Sequence, residues 1–248
     1  MHEDLPDEMK EKVQNVIKNW EEGLEFRVQA FPMPYRSLCR ITRLSLLIGC
    51  PLIDTDTDDE PPKSVHEASE IIPIDEFLGL YDHEKMKIVI FNKGIEWASG
   101  KLNCYPELLR YIVKVHEWAH AILHVGVDQG TESEVIATKF DPEVTSEIYR
   151  KQGEIYESIE YKVHEVLAQL LTYHSLQMSK EKATKRESKM VLDKMIELFL
   201  ELSKHQPREY RVDRYLDVPL ERLSESIHLI RKGWLKGIFD AWNTVIAW

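Results

Sequence analysis

His116-Glu117-Trp118-Ala119-His120 reads HExxH, two imidazoles and a carboxylate within one helical turn and a half. On an α-helix, residues four apart share a face and lie about 6 Å apart along the axis. His116 and His120 can therefore both turn a ring nitrogen to one zinc ion at about 2.0–2.1 Å. Glu117 follows the first of them, within reach of a water that such an ion would activate, which is the place of a general base. The chemistry open to this set is hydrolysis.

A catalytic zinc takes three protein ligands and keeps one position open, so a further ligand must come from elsewhere in the chain. A continuation as HExxHxxGxxH needs a glycine at position 123 and a histidine at position 126. Leu123 and Gly126 stand there, which excludes that arrangement. His124 is in line with the pair but about 12 Å along the axis from His116. It cannot share the metal and is expected to pack or hydrogen-bond at the helix end. Downstream, the apolar-striped stretch 158–177 offers Glu160, His164 and Glu165 as candidates. Adjacent residues lie about 100° apart around a helix, so His164 and Glu165 do not both face one ion.

The elements that must position these groups are legible around them. Val113, Val115, Trp118, Ala119, Ile122, Leu123 and Val125 make the motif stretch apolar throughout, as in a helix buried on most sides. Pro106 and Glu107 suit its first turn and Gly126 its end, which predicts a helix of roughly 20 residues. Before it, 71–81 and 86–92 read as two strands joined by a turn at 82–85. The run 54–62 (DTDTDDEPP) reads as an acidic loop. It lacks the glycine and glutamate that a calcium-binding loop would place at positions 59 and 65.

The segment HEWAHAILHVG (116–126) followed by EVLAQLL (165–171) resembles the gluzincin zinc peptidases, in particular the small ImmA/IrrE-type enzymes. The likeness covers residues 71–178. It implies a zincin-like core with a small β-sheet packed on the HExxH helix. It also implies one zinc per chain held by His116, His120 and Glu165, Glu117 as the base, and a peptide or protein substrate. Such enzymes commonly hold substrate as an added strand on the sheet edge beside the motif helix, a role open to 86–92 here. The chain departs from the pattern four residues after the ligand glutamate. Asp or Asn is common there to orient a ligand histidine, and Gln169 is expected to do so through a longer arm. For the donor that stabilises the transition state, Tyr161, Tyr173 and His174 all lie near in sequence.

Composition sets outer bounds. The chain has 248 residues, 43% of them hydrophobic and 30% charged, as in ordinary globular proteins. A net charge of −11 offers no basic stripe for nucleic acid. The basic run 180–186 reads as a solvated helix start. Cys39, Cys50 and Cys104 show neither paired nor zinc-knuckle spacing and fit a reducing compartment. No signal peptide or membrane span is evident, so the expected location is the cytoplasm.

The rest of the chain reads as helical: 7–22, 35–48, 187–205, 217–231 and an aromatic-rich last helix. In 187–205, Met190, Val191, Met195, Ile196, Phe199 and Leu202 form the apolar stripe. The run 94–101 is not a phosphate loop, having five residues where that motif has four. The expected organisation is an N-terminal helical region 1–70, a core 71–178 and a C-terminal helical region 179–248, in a mostly helical α+β fold. Two functions follow: a zinc-dependent peptidase, or a binding or regulatory protein of the same fold that acts on one partner or on none.

Overall fold

The computed structural model describes residues 53–59, 78–84, 87–125, 153–206, 211–212, 215–219 and 222–223. The expected helices at 7–22 and 35–48 and the last one lie outside the described residues, as does most of 217–231, of which Arg222 and Leu223 are helical and donate to Pro219 O. What is described is mostly helical with one small sheet, an α+β arrangement.

Three strands form the sheet in the order β1-β3-β2: β1 Ile53–Thr57, β2 Gly79–Asp82 and β3 Lys87–Phe91. The two expected strands pair antiparallel about a turn at His83 and Glu84. β1 corrects the sequence reading, because the first part of the acidic run is a strand parallel to β3. Ile53, Thr55 and Thr57 alternate with Asp54 and Asp56, and branched residues at every second position favour the extended backbone despite the acids. Beyond the strand, Asn92 ties the residue after β1 to Arg110. Its amide donates to Asp58 (2.8 Å), and its carbonyl oxygen accepts from Arg110 (2.9 Å).

β3 is paired on both sides, so 86–92 is not an edge that could take a substrate strand and instead supports the helix, burying Ile88, Ile90 and Phe91. It leads into α1, Asn92–Leu102, so the run 94–101 is helix. Asn103 ends α1 at φ 50°, a left-handed turn that a short polar side chain tolerates. The HExxH helix α2 spans Pro106–Val125, with Pro106 at its start and Glu107 in its first turn. None of its residues whose burial is described is exposed, because α1, β2, β3 and two later helices pack around it.

Those helices are α3, Tyr161–Lys182, and α4, Arg186–Lys204. A short helical stretch, 153–157, precedes α3. α4 packs against both α2 and α3 through Leu192, Met195, Ile196, Phe199 and Leu202. Met190, expected in that stripe, is 55% exposed instead. At 100° per residue it lies about 180° around the helix from Phe199, whereas Leu192 lies within about 20° and takes the buried place. The basic run 180–186 is not one helix start. It ends α3, crosses the break at 183–185 and opens α4. Elements from either side of 71–178, β1 and α4, thus pack with the core. Among the described residues, no helix is long and apolar enough to cross a membrane.

Candidate metal centre

The spacing of α2 puts His116 and His120 one turn apart, facing α3, and α3 brings Glu165 to meet them. His116 Nε2 lies 3.1 Å from His120 Nε2 and 3.2 Å from Glu165 Oε2, and His120 Nε2 lies 3.4 Å from Glu165 Oε1. One ligand atom from each residue falls within 4.8 Å of the others. Tetrahedral ligands at 2.0–2.1 Å from a common ion stand about 3.3–3.4 Å apart, and these contacts, which use both Glu165 oxygens, are close to that spacing. Two imidazoles and a carboxylate are also the donor set of catalytic zinc. His116 Nδ1 is buried with no hydrogen-bond partner, so the ring is held by hydrogen bonds through Nε2 alone, the atom that would take the ion. The residues fit a divalent cation.

The charges agree with that fit. Burial acts to raise the Glu165 pKa, but the charge of His120 and hydrogen bonds from both histidines outweigh it and hold the carboxyl well below its usual range. Burial likewise disfavours a charged His120, yet the Glu165 carboxylate beside it drives the net shift upward. Glu165 is therefore an anion, ready to bind a cation.

Glu117 is not part of the ligand triangle. Its side chain runs past β2, the outer strand of the sheet among the described residues. Phe91 N–H donates to Leu78 O (3.0 Å), so Leu78 and Leu80 turn their backbone groups to β3 while Gly79 and Tyr81 turn theirs outward. The outward Tyr81 N–H donates to the Glu117 carboxylate. Burial pushes the Glu117 pKa up and outweighs the nearby histidines and the Tyr81 N–H, which pull it down. A carboxylate held by one donor and short of solvent is a good proton acceptor.

The cavity in front of these groups has a volume of about 160 Å³. That is close to the 150 Å³ of a cavity that holds one benzene ring, so it admits one side chain. β2 forms one wall, and Ile112, Val113, Phe199 and Leu202 give it apolar surface. Tyr156 and Tyr161 also line it.

The other expected residues fall out as follows. Tyr161, one turn before Glu165, lies at the rim and is 60% exposed. Tyr173 and His174 do not line the cavity. Tyr173 accepts from Gln177 and packs on Phe199, and His174, about 180° around α3 from Glu165, donates to Val218 O. His164 donates from Nε2 to Tyr156 O (2.8 Å) and leaves the metal position to Glu165. Burial lowers its pKa to about 4, so it is neutral. His124 hydrogen-bonds the Tyr81 hydroxyl (2.9 Å), as a helix-end histidine should. Gln169 does not orient a ligand histidine: its Nε2 donates to Gln206 at 2.6 Å, while His116 Nδ1 has no partner and His120 Nδ1 faces Tyr156.

Three participants escaped sequence reasoning: Gly79, Tyr81 and Tyr156. Tyr156 Oη lies 3.5 Å from His120 Nδ1 across a separation of 36 residues, which no local spacing reveals. Comparisons of the chain with protein-family models, with curated proteins and with solved structures found no match.

Proposed function

We propose that this chain is a zinc-dependent peptidase of the gluzincin kind. His116, His120 and Glu165 hold the ion, and Glu117 is the general base. The observation that carries this reading is the convergence of three ligand atoms within 4.8 Å, with Glu117 beside them but outside the set.

A bound zinc supplies Lewis acidity, lowering the pKa of water toward neutrality and polarising a carbonyl. The protein's own groups do the rest. Glu117 accepts a proton from the attacking water and returns it to the departing amine. The Tyr81 N–H fixes one side of its carboxylate, so the proton is exchanged in a set direction. Apolar Ile112, Val113, Phe199 and Leu202 exclude water and receive one substrate side chain. The outer edge of β2 turns the backbone groups of Gly79 toward an extended peptide, the neighbouring Tyr81 N–H being committed to Glu117. Of the three candidate oxyanion donors Tyr161 is the one that lines the cavity, which supports that role for it.

Incubating the zinc-loaded protein with a diverse peptide pool, with products read by mass spectrometry, tests the proposal. Glu117→Gln should keep its zinc and its melting temperature while hydrolysis falls by at least about 10²-fold. A variant as active as wild type removes Glu117 from the reaction. Absence of any hydrolysis by the loaded wild type favours the binding-protein reading.

A further inference from the structure

Next to the metal centre lies a group of aromatic and imidazole rings, Tyr81, His124 and His164 buried and Tyr156 and His83 half-buried, that the proposed chemistry does not use. Tyr156 is at its middle. Its ring centroid lies 4.0 Å from that of His164, 5.2 Å from His124, 5.4 Å from His83 and 6.4 Å from Tyr81. The group is tied from several sides. Tyr156 O accepts from His164 Nε2, the Tyr81 hydroxyl bonds His124 Nδ1, and His83 donates to the neighbouring Glu157 (2.9 Å). A phenol held this way has little freedom to turn, and its hydroxyl points at His120 Nδ1, 3.5 Å away.

A histidine that gives one nitrogen to a metal carries its proton on the other. That N–H needs an acceptor to fix the tautomer and the ring plane. His120 turns Nε2 toward His116 and Glu165 and Nδ1 toward Tyr156. Gln169, the residue whose position would suggest this duty, donates to Gln206, and it is Tyr156 that meets His120 Nδ1. We propose that Tyr156 is the positioning residue for His120, its hydroxyl oxygen accepting from Nδ1–H so that Nε2 is presented to the ion. The ring cluster serves to hold that hydroxyl in place. Burial and the nearby Glu165 and Glu117 carboxylates raise the Tyr156 pKa, which keeps the phenol neutral. The inference rests on the metal-site reading above.

Tyr156→Phe removes the hydroxyl and keeps the ring, its stacking and its backbone carbonyl. Zinc affinity, measured by competition with a chelator, should fall about 10- to 100-fold. The melting temperature of the metal-free protein should stay near wild type, and the visible bands of the cobalt-substituted protein should shift. Unchanged affinity and cobalt spectrum in a variant that still loads metal overturn the role of Tyr156 and leave the metal site standing. A wild type that loads no zinc ends both. Nitrogen NMR of zinc-loaded wild type gives an independent reading that does not depend on the variant folding. A His120 Nδ1–H protected from exchange, with a cross-peak to the Tyr156 ring, is expected, and its absence overturns the proposal.

Discussion

Gly79 has no side chain because the motif helix occupies the space. A Cβ there would lie 2.7 Å from Val113 Cγ1 and 2.8 Å from both Glu117 Cγ and Glu117 Oε1. Neither neighbour can yield easily. Val113 is a buried branched residue with few rotamers on a helix, and Glu117 is buried with its carboxylate held by the Tyr81 N–H. Gly79→Ala must therefore lift β2 from α2 or turn Glu117 away, an overpacking cost of about 1–3 kcal/mol. Both responses displace the base, and a misplacement of about 1 Å costs on the order of 10²-fold in rate. The ligands His116, His120 and Glu165 lie outside the clash, so zinc content should hold. Gly100→Ala is the matched control. Nothing lies within 4 Å of a Cβ at Gly100 in α1, and the substitution should be neutral or stabilise by up to about 1 kcal/mol. Urea unfolding followed by circular dichroism, with zinc content and peptide hydrolysis measured on the same samples, separates these effects. A Gly79→Ala protein with wild-type stability and activity would show that β2 does not press on Glu117, and the assignment of the strand edge to the site would fail.

Two titrations follow from the buried groups of the metal-free protein. Carboxyl carbon NMR should place the Glu117 midpoint above the usual 4.5, since burial is the largest influence on it, and loading zinc should move it down; a midpoint at or below 4.5 before loading refutes its burial as a base. His164 has a folded pKa of about 4 against an ordinary 6.5, so the unfolded chain binds more protons between those values. Stability should therefore fall as pH drops from about 6.5 to 4, by roughly 3 kcal/mol at most from this residue. His164→Gln, which keeps a donor for Tyr156 O, should flatten that part of the stability profile, and an unaltered profile counts against a buried neutral His164.

Much of the frame was legible because helices announce themselves locally. Pro106, the apolar run and Gly126 bracketed α2, and the stripes of α3 and α4 placed those helices within a few residues of 161–182 and 186–204. Spacing alone paired His116 with His120. Glu165 was one of several candidates on the next helix until the resemblance singled it out, and only packing brings it to the pair. β1 was hidden because its two aspartates run on into Asp58, Asp59, Glu60 and two prolines, which mark a loop, although the alternation was there. Gly79, Tyr81 and Tyr156 act across gaps of tens of residues, through the register of β2 and a short helical stretch before α3. Nothing in the linear chain encodes such proximity except the fold itself. Tyr173 and His174 misled for the converse reason, being near Glu165 in sequence but on other faces of the same helix.

The central claim is tested most directly by an anomalous difference map at the zinc edge from crystals of the zinc-loaded protein. A single strong peak per chain is predicted, at about 2.0–2.2 Å from His116 Nε2, His120 Nε2 and a Glu165 carboxylate oxygen, with Glu117 outside bonding distance. No peak among these three residues, or one coordinated by Glu117, would contradict it.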